Sequence, residues 1–201
     1  MHIRPAFRLR FIEAADPITE SVTKFGGQPV WRASPAWPLS RSTRLPMRFI
    51  AQVALSLDLG GPGDVMAYLF MTEPWPERAD AWVAGTENAE GGENAVILQP
   101  GAPPPVDTLP QATGPTLVRW VESADGRTRH AQPCEFHVTL QALDESDVRV
   151  SLPTEQAAAD FERLQGTKLG GVPAFVQVPE FPLGEDAQLV QRADLESHTP
   201  A

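Results

Sequence analysis

Apolar and polar residues alternate near the start of the chain. Phe7, Leu9 and Phe11 interleave with Arg8 and Arg10, the period-two signature of a half-buried strand. Arg48 to Leu57 and Val65 to Met71 predict two more strands. The second of these is entered through Gly60-Gly61-Pro62-Gly63-Asp64, which reads as a turn. Thr116–Ser123 and Cys134–Leu143 continue the series; in the latter, Phe136, Val138 and Leu140 share one face and His137, Thr139 and Gln141 the other. Residues 85–115 read as an acidic connection rich in proline and glycine, with no basic residue between Arg78 and Arg119. That composition predicts surface loop, with room for one short strand at Ala95–Gln99. One helix is expected near 154–165. Pro153 or Thr154 starts it, Ala157, Ala158, Ala159, Phe161 and Leu164 supply helix formers and an apolar face, and Gly166 ends it. The fold class expected is therefore α+β, mainly β.

A second pattern runs along the chain at an offset of about 144 residues: Thr23-Lys24-Phe25-Gly26-Gly27-Gln28-Pro29 returns as Thr167-Lys168-Leu169-Gly170-Gly171-Val172-Pro173. The register continues without a gap. Trp31 answers to Phe175, Pro35 to Pro179, Trp37 to Phe181, Pro38 to Pro182 and Leu39 to Leu183; beyond that stretch, after a loop shorter in the second copy, Gln52 is the expected counterpart of Gln191. A repeat of this length marks a duplicated supersecondary unit whose copies pack about a pseudo-twofold axis. Of the 16 basic residues only Lys24 and Lys168 are lysine, and both occupy the same repeat position. An ammonium is a compact three-donor charge, unlike the flat arginine fork. Two readings follow for the pair: ties to carbonyls or a carboxylate beside the Gly-Gly turn, or anion sites that glycine backbone lets a ligand approach.

The K-x-G-G-x-P segment, the Trp37-Pro38 step, the P-M-x-F-I-A-Q-V stretch at Pro46–Val53 and the G-x-x-x-A-Y-L-F strand at Gly63–Phe70 resemble the YwqG-like family, a bacterial domain of unknown function. The resemblance implies a β-rich α+β fold of two related halves, each opened by K-x-G-G, and brings no catalytic residues with it. On this reading residues 1–201 are a single domain, with a first repeat at 23–72, the acidic connection at 85–115 and a shortened second repeat at 167–201. The second copy departs from the pattern after Gln191, where a G-x-x-x-x-L-F strand is not found.

Composition narrows the function. Hydrophobic residues make up 42% of the 201, a globular proportion, and the apolar runs are far shorter than the roughly 20 residues of a membrane helix. The N-terminus carries no apolar signal segment, and a single cysteine, Cys134, fits a reducing cytoplasm. Net charge is −10, divided as +3 over residues 1–72 and −13 over 73–201. Such a field repels nucleic acid and steers a basic protein partner. His130, Cys134 and His137 could begin a metal site, but a fourth ligand at sensible spacing is missing. No G-x-S-x-G, Walker or H-E-x-x-H motif occurs. No catalytic residue, metal or cofactor is expected. The candidate binding residues are Lys24, Trp31, Trp37, Gln52, Lys168, Phe175 and Phe181, with the aromatics serving either core or partner surface. Two functions remain open: a non-enzymatic protein-binding module, an acidic antidote to a basic toxin among the options, or a small-molecule protein whose cleft between the halves presents Lys24 and Lys168 to an anion.

Overall fold

The computed structural model describes residues 6–57, 61–72, 91–103, 106–124, 126–143 and 167–170. Eleven strands occur among them: β1 Ala6–Glu13, β2 Lys24–Gly26, β3 Trp37–Pro38, β4 Arg48–Ala54, β5 Met66–Met71, β6 Asn94–Gln99, β7 Thr108–Leu109, β8 Val118–Glu122, β9 Arg129–Pro133, β10 Glu135–Leu143 and β11 Lys168–Gly170. The chain divides into two compact units. The larger holds Ile12–Ser56 and Pro62–Val138, the smaller Met1–Phe11, Leu57–Gly61 and Thr139–Ala201.

In the larger unit the strand order is β10-β2-β4-β5-β6, and every pairing is antiparallel. β4 and β5 pair from Arg48↔Met71 to Ala54↔Met66, and the ladder runs on through Leu55 N–H to the Val65 carbonyl at 2.8 Å. Two-stranded pairs β3–β7 and β8–β9 complete the unit. Residues directly opposed across an antiparallel pair share a face, so Met66, Tyr68 and Phe70 of β5 lie over Ala95 and Ile97 of β6. With Trp37, Met47 and Phe49 they form the buried core. Phe70 sits at its centre, 5.4 Å from the Phe49 ring and 5.2 Å from Trp37.

A β-bulge between Phe49 and Ala51 breaks the alternation of β4: Phe49 stands opposite Phe70, whereas Gln52, three residues on, stands opposite Tyr68. The extra residue re-aims the strand and brings Gln52 to the core face that strict alternation would deny it.

In the smaller unit β1 lies between β11 and β10. Leu9 N–H donates to the Thr167 carbonyl at 3.0 Å, and Arg10 Nε donates to Gln141 Oε1 at 3.2 Å.

One sequence expectation needs correction. The α+β class gives way to β among the described residues, which contain strands and turns and no α-helix. Period-two segments separated by proline and glycine turns satisfy their backbones in ladders, leaving no 3.6-period stretch there to become helical. Residues 154–165, where a helix is expected, lie outside the described residues. Within 85–115 the short strand allowed at Ala95–Gln99 is present as β6, with Ala95, Ile97 and Gln99 buried while Val96 and Leu98 face out; Pro103 is exposed, as expected of a surface connection. No helix of the described residues is long and apolar enough to cross a membrane.

Candidate functional site

Lys24 opens the first K-x-G-G motif and is 1% exposed. Its Nζ donates to the Ile18 carbonyl at 2.9 Å and to Glu135 Oε1 at 2.5 Å, an ion pair whose carboxylate side chain is only 14% exposed. The glycines that follow make room for that partner. Gly26 and Gly27 both have positive φ, 70° and 63°, a conformation that side chains disfavour. A Cβ on Gly26 would stand 2.0 Å from the Cys134 carbonyl oxygen, and one on Gly27 would stand 2.2 Å from the Glu135 carboxylate. Gly27 N–H in turn donates to the Cys134 carbonyl at 3.0 Å. The motif is thus a cradle for the start of β10: lysine holds the carboxylate and the glycines clear its path.

Beside Lys24 a row of polar side chains crosses the sheet, since Lys24 opposes Gln52 and Gln52 opposes Tyr68. All serve the segment that follows the motif. Gln52, fully buried, donates to the Val22 carbonyl and accepts from Val30 N–H, both at 2.8 Å. Tyr68 Oη donates to the Val30 carbonyl at 2.8 Å and accepts from Arg32 N–H at 2.9 Å. Gln99 accepts from Arg32 and Ala33 N–H and donates to the Ser34 carbonyl. Burial pushes the Tyr68 phenol above its ordinary pKa, against a smaller downward pull from Arg32. From the other side, Gln28 exchanges two hydrogen bonds with Gly114, Trp31 Nε1 donates to Ala112, and the Thr116 hydroxyl donates to the Gly27 carbonyl.

The remaining candidates separate. Trp37 is fully buried and its indole donates to the Met47 carbonyl at 2.7 Å. Trp31 is half-buried, 4.7 Å from the Tyr68 ring and 6.1 Å from Phe70, at the edge of the core. Lys168 is buried on β11 opposite Arg8. Phe175 and Phe181 lie outside the described residues. Lys24, Gln52, Trp31 and Trp37 therefore belong to one neighbourhood, and their polar atoms serve the fold.

β10 is half-buried or exposed along its length, whereas Cys134, just ahead of it, is not. Cys134 is buried, and burial pushes its thiol pKa up, only partly offset by Arg119, so the reactive thiolate is disfavoured. Among the described residues no group of three His, Cys, Asp or Glu could hold a metal ion.

Sequence reasoning missed Glu93 altogether. It is 1% exposed; Oε2 accepts from the Ser40 hydroxyl at 2.7 Å and Oε1 from Ser42 N–H at 2.9 Å. Burial alone would raise its pKa, but Ser40, Thr72 and Ser42 together hold it below the usual carboxylate value. Thr72 N–H donates to the Glu93 carbonyl at 2.7 Å, while its buried Oγ1 makes no hydrogen bond. An isolated Glu beside two glycines, Gly91-Gly92-Glu93, carries no periodic signal that could have exposed this role.

Comparison with protein-family models, with curated proteins and with solved structures returns no match for the chain.

Proposed function

We propose that the chain is a non-enzymatic protein-binding module whose partner is basic, in the manner of an acidic antidote to a toxin. The observation that carries this reading is charge: −13 over residues 73–201, a field suited to steering a basic protein. The occupied polar groups support it. Lys24, Gln52 and the indoles of Trp31 and Trp37 are all engaged in internal hydrogen bonds, and the Cys134 thiol is held in its unreactive form. The competing reading, an anion bound by Lys24 and Lys168, draws no support from Lys24, whose ammonium is already paired. On its K-x-G-G-x-P, P-M-x-F-I-A-Q-V and A-Y-L-F stretches we group the chain with the YwqG-like family, and its lone cysteine favours a reducing bacterial cytoplasm.

Capture by the immobilised full chain, from lysate at low and at high salt, tests the proposal. The expected result is a basic protein retained at low salt and released at high salt. Retention of a small anionic metabolite and no protein, or a bound protein indifferent to salt, overturns it.

A further inference from the structure

The two K-x-G segments form β2 and β11, and each lies antiparallel to a longer strand. Gly26, Phe25 and Lys24 oppose Glu135, Phe136 and His137. Gly170, Leu169 and Lys168 oppose Ala6, Phe7 and Arg8. Laying one K-x-G strand on the other therefore equates Glu135 with Ala6, Phe136 with Phe7 and His137 with Arg8.

Residues not used in making that equation agree with it. Beyond the paired positions, Leu9 and Phe11 fall on Val138 and Leu140, with Arg10 on Thr139 between them. The two lysines, which define the superposition, are alike in burial, at 1% and 5% exposure. The shift is 129 residues between the long strands and 144 between the motifs, so the second copy carries 15 more residues between its strand and its lysine.

The pairing is crossed. β2, of the first copy, takes a strand from the second; β11, of the second, takes a strand from the first. We infer that the chain is a fused, strand-exchanged dimer: two copies of one ancestral half, each beginning with an F-x-[LV]-x-[FL] strand that it lends to the other's K-x-G-G motif. An isologous exchange requires that the contact made by one copy be returned at the same register by the other, and the apolar positions beyond the paired residues, Leu9 with Val138 and Phe11 with Leu140, fit that requirement. The duplicated unit accordingly begins near residue 6, upstream of the K-x-G-G repeat itself. The copies have since diverged at one telling place. Position 135 offers Lys24 a carboxylate, whereas the equivalent position 6 offers Lys168 a methyl group.

The test exchanges the two lent strands in the full chain and leaves Ala6 and Glu135 in place. Exchanging segments 7–11 and 136–140 in register is expected to preserve a cooperative urea melt, and the same exchange displaced by one residue is expected to abolish it, because every side chain then falls on the opposite face. Equal behaviour of the two exchanges, whether both fold or neither does, overturns the inference.

Discussion

Lys24 and Glu135 stand 111 residues apart in the chain and 2.5 Å apart in the fold. Both are largely buried, so removing one leaves the other charged and unpaired, which costs about 3–5 kcal/mol in such pairs. Lys24→Met and Glu135→Met should each lower stability by about that amount in urea melts. The double variant should be less damaged than the sum of the two, because no charge is then stranded. Lys24→Arg should also be poorly tolerated, since the planar fork does not reproduce a compact ammonium bound to one carbonyl and one carboxylate.

The glycines of the motif differ in what they face, and their alanine variants should differ accordingly. Gly26→Ala meets a backbone carbonyl and Gly27→Ala meets a side chain. Gly26→Ala is expected to be the more destabilising by thermal melt. Gly27→Ala should couple strongly to Glu135→Ala, because shortening that side chain removes the obstruction; strict additivity of the two would refute the cradle.

Glu93 makes stability depend on acid. Its folded pKa is lowered, so its contribution is present above the unfolded value of about 4.3 and is lost as pH falls through the folded value. Glu93→Gln should therefore be clearly less stable than the native chain at pH 7, with the gap closing on acidification. A gap that stays constant from neutral pH into the acid range would show that the carboxylate charge is not what holds the Ser40–Ser42 turn.

Cys134 should resist alkylation in the folded protein. Burial shields it and disfavours the thiolate, so labelling at neutral pH should proceed only as fast as the chain opens, and urea should accelerate it sharply. Rapid labelling of the native protein would contradict this.

How much of this arrangement could be read from the chain depended on whether the signal was periodic or paired. β1 and β10 follow from alternation of apolar residues and β4 and β5 from short apolar runs bounded by turns, and their observed limits fall within three residues of the expected ones. The three-residue strand at Lys24–Gly26 and the two-residue strands β3 and β7 are too short to show a period. β9, Arg-His-Ala-Gln-Pro, has no apolar alternation because it pairs only with β8 and is largely exposed. At the site, two unusual lysines and two glycines marked the motif, but their counterpart did not announce itself. Glu135 is one of 26 acidic residues, and only the strand pairing distinguishes it. Gln52 was legible through the repeat, whereas Tyr68 and Gln99 act through long-range bonds to main-chain atoms, which no local pattern encodes.

Segment 30–34 is gripped by its peptide groups: Gln52, Tyr68 and Gln99 take hold of N–H and C=O atoms at Val30, Arg32, Ala33 and Ser34. Main-chain recognition of this kind does not ask what the side chains are. The information that places the segment is stored in other strands, 22 to 67 residues away in the chain. A substitution scan should therefore run against intuition. Val30, Ala33 and Ser34 should accept most residues, while proline at 33, which deletes an N–H, should be rejected. The three distant readers should tolerate almost nothing. In evolutionary terms the loop is free to drift and its custodians are not.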